Sequence, residues 1–172
     1  MGLVRVVADP LTESAWAPFG WLPMEEDAEA ALGGDAAALR RLAFDDGDPH
    51  LNVIGHWRHE VTSTGAALVC HEMYRHVRHT QALLVLDHRA VIAVAPAWVE
   101  FASPADADSV RALVLEPLDA LVLGRGTWHW GPFPVSADAV RLLNVQARGY
   151  GDDNIRVDLA GRGMDVEVLL PA

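Results

Sequence analysis

The stretch Cys70-His-Glu-Met-Tyr-Arg-His-Val-Arg-His-Thr-Gln81 concentrates polar chemistry between two short apolar segments. It contains three of the eight histidines of the chain. The apolar run 66–69 precedes it, and the apolar run 82–86 follows it. Short apolar runs of this kind, bounded by turn residues, are typical of buried strands. We therefore expect the polar stretch to lie between two core strands or at their shared end.

A second histidine-bearing segment, Gly124-Arg-Gly-Thr-Trp-His-Trp-Gly-Pro132, lies further along the chain. The apolar run Ala120–Leu123 before it predicts a strand that leads into the Gly-Arg-Gly turn. In a small barrel, neighbouring strands bring such segments together at the interior. The two segments therefore predict one site inside one core.

Strand signals separated by turn residues dominate the rest of the sequence. Thr12 and Pro18 bound a short predicted helix, and Ser103 caps a second one. Asp35 is the predicted cap of a helical turn that runs to Arg41. Further strands are predicted at Leu3–Val7, Leu51–Arg58, Ala90–Ala95, Val140–Gln146 and Val166–Leu170. This pattern favours a mainly β protein, a barrel or a sandwich, that forms a single domain over residues 1–172.

The residues Asp87-His-Arg89 predict a tight turn. Apolar and β-branched residues occupy the segments on both sides of it, Leu83–Leu86 and Ala90–Ala95. We expect these two segments to form a β-hairpin.

Composition limits the kinds of partner and compartment. The formal net charge is -11 and no basic patch is visible, which argues against nucleic acid and anionic membrane surfaces as partners. The single cysteine, Cys70, excludes an intrachain disulfide and suits a reducing compartment. No apolar run reaches the roughly 20 residues that a membrane-spanning helix needs, and the N-terminus lacks a signal-peptide pattern. We therefore expect a cytoplasmic protein.

His76 and His129 are the first candidates for catalysis, because imidazole serves acid–base chemistry and metal ligation near neutral pH. Gln81 follows at the join with the next strand, where it adds to a polar floor in an apolar cavity. If this stretch were a regular strand, Tyr74 and His76 would share one face, and Arg75 would point the other way unless a bulge re-aimed it. Arg75 is therefore either a clamp for a substrate carboxylate or an ion-paired surface group.

Three further residues are candidates for the wall of a substrate pocket. Asn52 shares the polar face of the predicted strand Leu51–Arg58 with His56. Trp128 and Trp130 flank the second histidine, and they either pack in the core or wall the pocket. The expected ligand is a small molecule.

Whether a divalent metal ion is bound stays open at this point. The candidate ligands are His76, His129 and Gln81. Metal sites of this kind usually include a carboxylate, but the only acid in the segment 79–90 is Asp87, a predicted turn residue. The sequence therefore permits a metal ion without requiring one.

Several segments of the chain match one known family in order and approximate spacing. They are Thr12-Glu-Ser-Ala-Trp-Ala-Pro-Phe-Gly20, Leu51-Asn-Val-Ile54, Arg75-His76 with Thr80-Gln-Ala82, Asp106-Ala-Asp-Ser-Val-Arg-Ala-Leu113 and Arg125-Gly-Thr-Trp-His129. Over roughly residues 10 to 148 the chain thus resembles the ureidoglycolate lyases, also called ureidoglycolate hydrolases.

The resemblance implies a cupin-like double-stranded β-barrel, or jelly roll, with a few short peripheral helices, assembled as a homodimer. It also implies cleavage of ureidoglycolate to glyoxylate and urea in allantoin and purine-nitrogen degradation. That reaction needs a base for the substrate hydroxyl, an acid for the leaving nitrogen, and a cation or hydrogen-bond donors for the carboxylate. His76 and His129 would act as acid–base or metal-binding residues, and Gln81 and Tyr74 as orienting donors. Arg75 or a metal ion would bind the carboxylate.

Several positions depart from the family pattern. Tyr74 replaces a glutamate, Trp130 replaces a second histidine, Gly55-His56 replaces an arginine, and Ile155-Arg156 replaces an acidic pair after Asn154. Because one barrel can host many functions, two alternatives stay open. One is an enzyme that acts on another small hydroxy or keto acid. The other is a non-catalytic barrel that binds a small acid.

Overall fold

The computed structural model describes residues 3–26, 28, 31, 32, 34, 40–45 and 48–171. Within these residues the protein is mainly β, as predicted, and contains fourteen strands. They are β1 (Val4–Pro10), β2 (Gly20–Trp21), β3 (Pro49–Trp57), β4 (Ser63–Thr64), β5 (Ala67–Cys70), β6 (Glu72–His76), β7 (Gln81–Val85), β8 (Ala90–Ala95), β9 (Arg111–Leu115), β10 (Ala120–Leu123), β11 (Trp128–Pro134), β12 (Ala139–Ala147), β13 (Asn154–Asp158) and β14 (Val166–Leu169).

The helices are short. They are α1 (Glu13–Trp16) and 3₁₀ helices at Arg58–Glu60, Pro104–Ser109, Tyr150–Asp153 and Ala160–Arg162. Among the described residues, no helix is both long and apolar enough to cross a membrane.

The first predicted helix is confirmed as α1. The hydroxyl of Thr12, its predicted cap, accepts a hydrogen bond from the backbone N–H of Ala15 at 3.2 Å. Trp16 is fully buried, and its indole Nε1 donates to the carbonyl of Val122 at 3.0 Å. This bond anchors the end of the helix on β10.

The second predicted helix, Ser103–Leu113, is confirmed only in its first part, as the 3₁₀ helix Pro104–Ser109, because the chain from Arg111 onward belongs to β9. The carboxylate of Asp106 accepts from the backbone N–H of Ser103 at 2.9 Å, which closes the first turn. The helical turn predicted from Asp35 to Arg41 lies largely outside the described residues.

The strands form two sheets. The order in the nine-stranded sheet is β13-β6-β11-β8-β9-β1-β14-β5-β4, and the order in the five-stranded sheet is β2-β10-β7-β12-β3. β1 pairs in parallel with β9 and β14, and the remaining pairs are antiparallel. The predicted cupin-like β-barrel is confirmed, because two largely antiparallel sheets enclose a common interior.

β8 connects two hydrophobic cores, because both of its faces are buried. The side chains on one face of β8 belong to the hydrophobic cluster that contains Met73; they are Val91, Ala93 and Ala95. The alternate residues of β8 pack against the five-stranded sheet, where Ile92 belongs to the same cluster as Leu83, Leu121 and Leu142. This second core fills part of the space between the sheets. The uninterrupted apolar sequence of β8 suits a strand that is buried on both sides.

The predicted hairpin between β7 and β8 is wrong, because the two strands belong to different sheets. β7 pairs with β10 and β12, whereas β8 pairs with β9 and β11. The turn at Asp87 crosses between the sheets instead, and its carboxylate accepts backbone N–H groups of His88 at 2.8 Å and Arg141 at 3.0 Å. The turn residues predict that the chain reverses at Asp87. The strands that pair with β8, however, are determined by the burial of both of its faces.

The polar stretch 70–81 lies between the core strands β5 and β7, as predicted. Its middle forms an additional strand, β6, which the sequence did not predict. β6 hydrogen-bonds to β11 and β13 and extends the nine-stranded sheet. The two histidine-bearing segments are thereby neighbours in one sheet.

We predict that Ile92→Ala lowers the free energy of unfolding by about 2–5 kcal/mol, because it leaves a cavity between the sheets at a fully buried position. Chemical denaturation followed by circular dichroism measures the change. Leu118→Ala is the control, since Leu118 is 74% exposed and its truncation should stay within about 0.5 kcal/mol of the parent. Equal losses from the two variants would contradict the assignment of this core.

Candidate active site

A cavity of about 350 Å³ lies between the two sheets. Leu83 belongs both to its wall and to the core that contains Ile92, so the cavity continues the barrel interior. The nine-stranded sheet contributes Tyr74, His76, His129 and Trp130, and the five-stranded sheet contributes Ile54, His56, Gln81 and Gln146. A partly apolar cavity with a few convergent polar groups is typical of a small-molecule site.

The structure brings His76 and His129 together, as predicted from the sequence. Their ring centroids are 5.4 Å apart. Nδ1 of His76 lies 3.3 Å from the carbonyl oxygen of Asp153, and Nδ1 of His129 lies 3.2 Å from that of Thr127. A carbonyl only accepts hydrogen bonds, so each Nδ1 carries the proton. Each neutral ring therefore keeps the lone pair on Nε2.

The protein environment favours the neutral form of both rings. Burial lowers the pKa of His76. Burial and the proximity of His76 lower the pKa of His129 from 6.5 to about 4. Near neutral pH both imidazoles are therefore unprotonated at Nε2 and can accept a proton.

Asp153 positions His76. Its side chain is 2% exposed and accepts the backbone N–H groups of Val77 at 3.1 Å and Arg78 at 2.9 Å, directly after β6. Its backbone carbonyl receives the Nδ1 proton of His76. A buried carboxylate is tolerated only when it is hydrogen-bonded or paired, and Arg78 lies 3.6 Å away and His79 3.9 Å away. The turn after His76 is therefore tied to the 3₁₀ helix that ends at Asp153.

Four amide side chains, three of them buried, form a string of hydrogen bonds across the five-stranded sheet. Nε2 of Gln81 donates to Oδ1 of Asn144 at 2.8 Å and lies 3.3 Å from Oε1 of Gln146. Nδ2 of Asn144 donates to Oδ1 of Asn52 at 2.8 Å. Asn52 itself does not line the cavity, so the structure connects it to the site through Asn144 and Gln81.

Oε1 of Gln81 is buried without a hydrogen-bond partner among the described residues. Leaving a buried acceptor unsatisfied costs about 1–3 kcal/mol. Native proteins contain few such groups, and each one calls for an explanation.

Tyr74 lies at the edge of the cavity beside a charged pair. Its hydroxyl donates to Oε1 of Glu72 at 2.9 Å, and Arg156 donates through Nε to the other oxygen of Glu72. Burial, followed by the hydrogen bond to Glu72, raises the pKa of Tyr74. The phenol therefore remains a hydrogen-bond donor throughout the neutral range.

Arg75 and Trp128 do not line the cavity. Arg75 projects from the opposite face of β6, where its guanidinium carbon lies 4.3 Å from the ring centroid of Trp128. It also approaches the carbonyl of Ala97 at 3.2 Å and the carboxylate of Glu100 at 3.4 Å. Trp128 is buried and donates through Nε1 to the carbonyl of Val99 at 2.7 Å. Trp130, by contrast, does line the cavity.

The sequence did not single out several cavity residues. His56 contacts Phe133 with ring centroids 5.2 Å apart, and its Nδ1 lies 2.6 Å from the carbonyl oxygen of Pro132. Tyr150 meets His76 edge-on, with centroids 6.4 Å apart. The even position of His56 on a polar strand face was the one available signal. The other contacts join segments that are distant in sequence.

The predicted metal ligands do not fit a resident divalent ion. In the part of the chain that the structure describes, no group of three or more His, Cys, Asp or Glu side chains could hold a metal. The candidates His76, His129 and Gln81 would supply two neutral imidazoles and one amide, with no carboxylate. No step of the proposed chemistry therefore uses a metal ion.

The fold and site together define a cupin-like barrel with two neutral imidazoles, one buried and one partly buried, that are available for acid–base chemistry. The sequence model of the ureidoglycolate lyase family matches residues 3–167, nearly the whole chain. The protein belongs to the ureidoglycolate lyase family, and the resemblance found in the sequence is confirmed. Family membership supports the expectation of a lyase enzyme.

Comparisons with solved structures and with curated protein sequences add no further information on function. The crystal structure of vicilin from Corylus avellana (hazelnut) is similar to this chain at 16% sequence identity and a TM-score of 0.35. The match covers 54% of this chain and 24% of the vicilin chain, so this chain spans about a quarter of the length of that protein. A likeness this weak carries no argument. No curated protein sequence matches the chain significantly.

We predict that His129 makes stability depend on pH between about 6.5 and about 4, its unfolded and folded pKa values. In that range the unfolded chain binds the proton more readily, so the free energy of unfolding falls as the pH falls, and above this range the contribution is constant. His129→Gln should therefore lose about 3 kcal/mol less than the parent protein between pH 7 and pH 4. Urea denaturation at several pH values measures both curves. Parallel curves would contradict the assignment.

Proposed function

We propose that the protein is a ureidoglycolate lyase that releases glyoxylate and urea, with His76 and His129 as its acid–base pair. The main supporting observation is that the buried imidazole of His76 and the partly buried imidazole of His129 line one cavity, each with Nδ1 bound to a carbonyl and Nε2 able to accept a proton. Family membership supports the choice of substrate and the place of the reaction in purine degradation.

The reaction moves one proton and breaks one bond. A base removes the hydroxyl proton of ureidoglycolate, the oxygen electrons form the carbonyl of glyoxylate, and the carbon–nitrogen bond breaks. The nitrogen of the departing urea takes up a proton, so the net transfer runs from oxygen to nitrogen. A neutral imidazole suits both steps, because its buried conjugate acid is strong and returns the proton readily.

We assign the proton transfer to Nε2 of His129, and we propose that the imidazole of His76 on the neighbouring strand supports it. The lowered pKa of His129, about 4, makes its imidazolium the better acid toward the leaving nitrogen. His76 keeps the adjacent position through its bond to Asp153.

The substrate carboxylate needs donors at the cavity edge. Among the described residues no arginine lines the cavity, whereas Glu60 and Glu72 do. Arg156 lies opposite Tyr74 in the β13–β6 pair and donates through Nε to Glu72. We therefore propose that Arg156 receives the carboxylate, a contact for which the sequence offered Arg75 or a metal ion.

A second candidate is a lyase or related enzyme that acts on another small hydroxy or keto acid. The observation in its favour is the aromatic lining of the cavity, which includes Tyr74, Trp130, Phe133 and Tyr150. Such a wall suits a substrate with more apolar surface than ureidoglycolate.

We predict that purified protein releases glyoxylate and urea from ureidoglycolate faster than spontaneous decay, with the same rate after chelation of divalent metals. His129→Gln should lower kcat about 100-fold or more, because it removes the proton-accepting nitrogen. A coupled glyoxylate assay and circular dichroism measure turnover and folding.

His88→Gln is the matched control, since His88 is an exposed turn residue and its replacement should leave kcat unchanged. Unchanged turnover in folded His129→Gln would remove His129 from the mechanism. Turnover of another hydroxy or keto acid, with ureidoglycolate inert, would favour the second candidate. Tight binding of a small acid without any product would indicate a non-catalytic barrel.

We also propose that the protein is a homodimer whose contact includes the outer face of β3. This strand lies at the end of the five-stranded sheet within the described chain. Leu51, Val53 and Trp57 point away from the barrel and are 63%, 57% and 48% exposed. A long edge strand with an exposed apolar row is a ready site for association with a second copy.

We predict that Trp57→Asp shifts the protein from dimer to monomer in light scattering coupled to size-exclusion chromatography. The change puts a charge into the proposed contact, where it would be desolvated. Trp98→Asp is the control, because Trp98 is 75% exposed and lies on a different segment. A parent protein that is already monomeric, or a dimer indifferent to Trp57→Asp, would contradict this interface.

We infer further that the chain acts as one domain in the cytoplasm. The cores on both faces of β8 support the first inference. The free, buried thiol of Cys70 supports the second, since it suits a reducing compartment. Recovery of the native protein from an oxidising compartment would contradict the location.

A further inference from the structure

The unpartnered carbonyl of Gln81 is the feature of the cavity that the proton-transfer chemistry leaves unexplained. Gln81 is 7% exposed and lines the cavity, and its Oε1 has no partner among the described residues. Buried acceptors in native proteins are normally matched by a donor. The missing donor is therefore to be sought in a ligand.

The amide string sets the orientation of Gln81. Its Nε2 is directed at the side-chain oxygens of Asn144 and Gln146, and Asn144 in turn directs Nδ2 at Asn52. Reversing the Gln81 amide alone would place its oxygen against two other oxygens. The string thus holds Oε1 of Gln81 as an acceptor that no group of the described chain occupies.

Gln146 supplies the complementary group beside it. Its Oε1 faces Nε2 of Gln81, and its own Nε2 makes no hydrogen bond within the described chain. Both residues line the cavity, and together they contribute one unoccupied acceptor and one unoccupied donor. An N–H donor next to a carbonyl acceptor, as on the edge of a primary amide or urea, matches this pair.

We propose that Gln81 and Gln146 form a binding site for the terminal carbamoyl group of the substrate. Oε1 of Gln81 accepts from its NH₂, and Nε2 of Gln146 donates to its carbonyl. The inference rests on the proposed lyase function and deepens it by naming the residues that select a ureido compound. It assigns Gln81 as an acceptor, where the sequence predicted an orienting donor.

This assignment also orients the substrate. A carboxylate would be repelled by Oε1 of Gln81, so the carboxylate end belongs on the side of Tyr74 and Arg156. The two glutamines are on the five-stranded sheet, and the imidazoles of His76 and His129 are on the nine-stranded sheet. The reacting carbon lies between the two ends of the substrate, where the imidazoles can reach its hydroxyl.

The test compares two ligands that differ at one group. N-carbamoylglycine keeps the ureido group and the carboxylate of the substrate but lacks the hydroxyl, so it cannot be cleaved. N-acetylglycine replaces the terminal NH₂ with a methyl group and keeps the carbonyl. Calorimetry on the full-length protein should show at least about tenfold tighter binding of N-carbamoylglycine, because only it satisfies Oε1 of Gln81.

Two variants separate the two halves of the site. Gln81→Met should weaken N-carbamoylglycine alone and bring the two affinities within about threefold of each other. Gln146→Met should weaken both ligands by similar factors and preserve their ratio, because both keep the carbonyl. Circular dichroism and thermal melting establish that each variant is folded. A ratio that survives Gln81→Met in a folded protein would overturn the proposal.

The measurement stays decisive if Gln81→Met does not fold. If the parent protein binds the two ligands with affinities within about twofold of each other, the proposal is overturned without any variant. If the parent protein discriminates between the two ligands and Gln81→Met loses this discrimination, the carbamoyl site is supported even when ureidoglycolate is not turned over. In that case only the lyase function is contradicted. If the protein turns over ureidoglycolate but binds the two ligands equally well, the carbamoyl site is contradicted and the lyase function is supported.

Discussion

The buried carboxylate of Asp153 is the constraint on which the geometry of the site depends. It binds two backbone N–H groups directly after β6, and the carbonyl of the same residue holds His76. A charge in this position is stable only while these bonds are made, so the turn has little freedom. Because β7 begins a few residues later, the same bonds set where Gln81 enters the opposite sheet.

The two sheets make different contributions to the chemistry. The nine-stranded sheet provides imidazoles that burial keeps neutral, and the five-stranded sheet provides amides that a string of hydrogen bonds keeps oriented. Positive charge is confined to the edge of the cavity. The chain contains no lysine, and Arg156, which lies beside Tyr74 in the neighbouring strand, is paired with Glu72. Such an interior suits a reaction that begins and ends with neutral catalytic groups.

The departures from the family pattern acquire a physical interpretation in this setting. Tyr74, Glu72 and Arg156 interact as one group at the cavity edge, so the replacements at positions 74 and 156 are coupled through Glu72. His56 occupies the wall of the cavity and contacts Phe133. The departures therefore lie at the rim and in both walls of the cavity, outside the imidazole pair and the amide string.

The sequence by itself determined the mainly β class, most strand positions, the capped helix at Thr12, and the pairing of His76 with His129. These features depend on local periodicity, turn chemistry and the order of segments, all of which are present in the sequence itself. Alternation along β6 also assigned Tyr74 and Arg75 to opposite faces. The tertiary structure decided that β7 and β8 belong to different sheets, that Asp153 is buried while Asp152 is exposed, and that Oε1 of Gln81 lacks a partner. Each of these depends on contacts between segments far apart in sequence, and no local pattern encodes which distant group a side chain will meet.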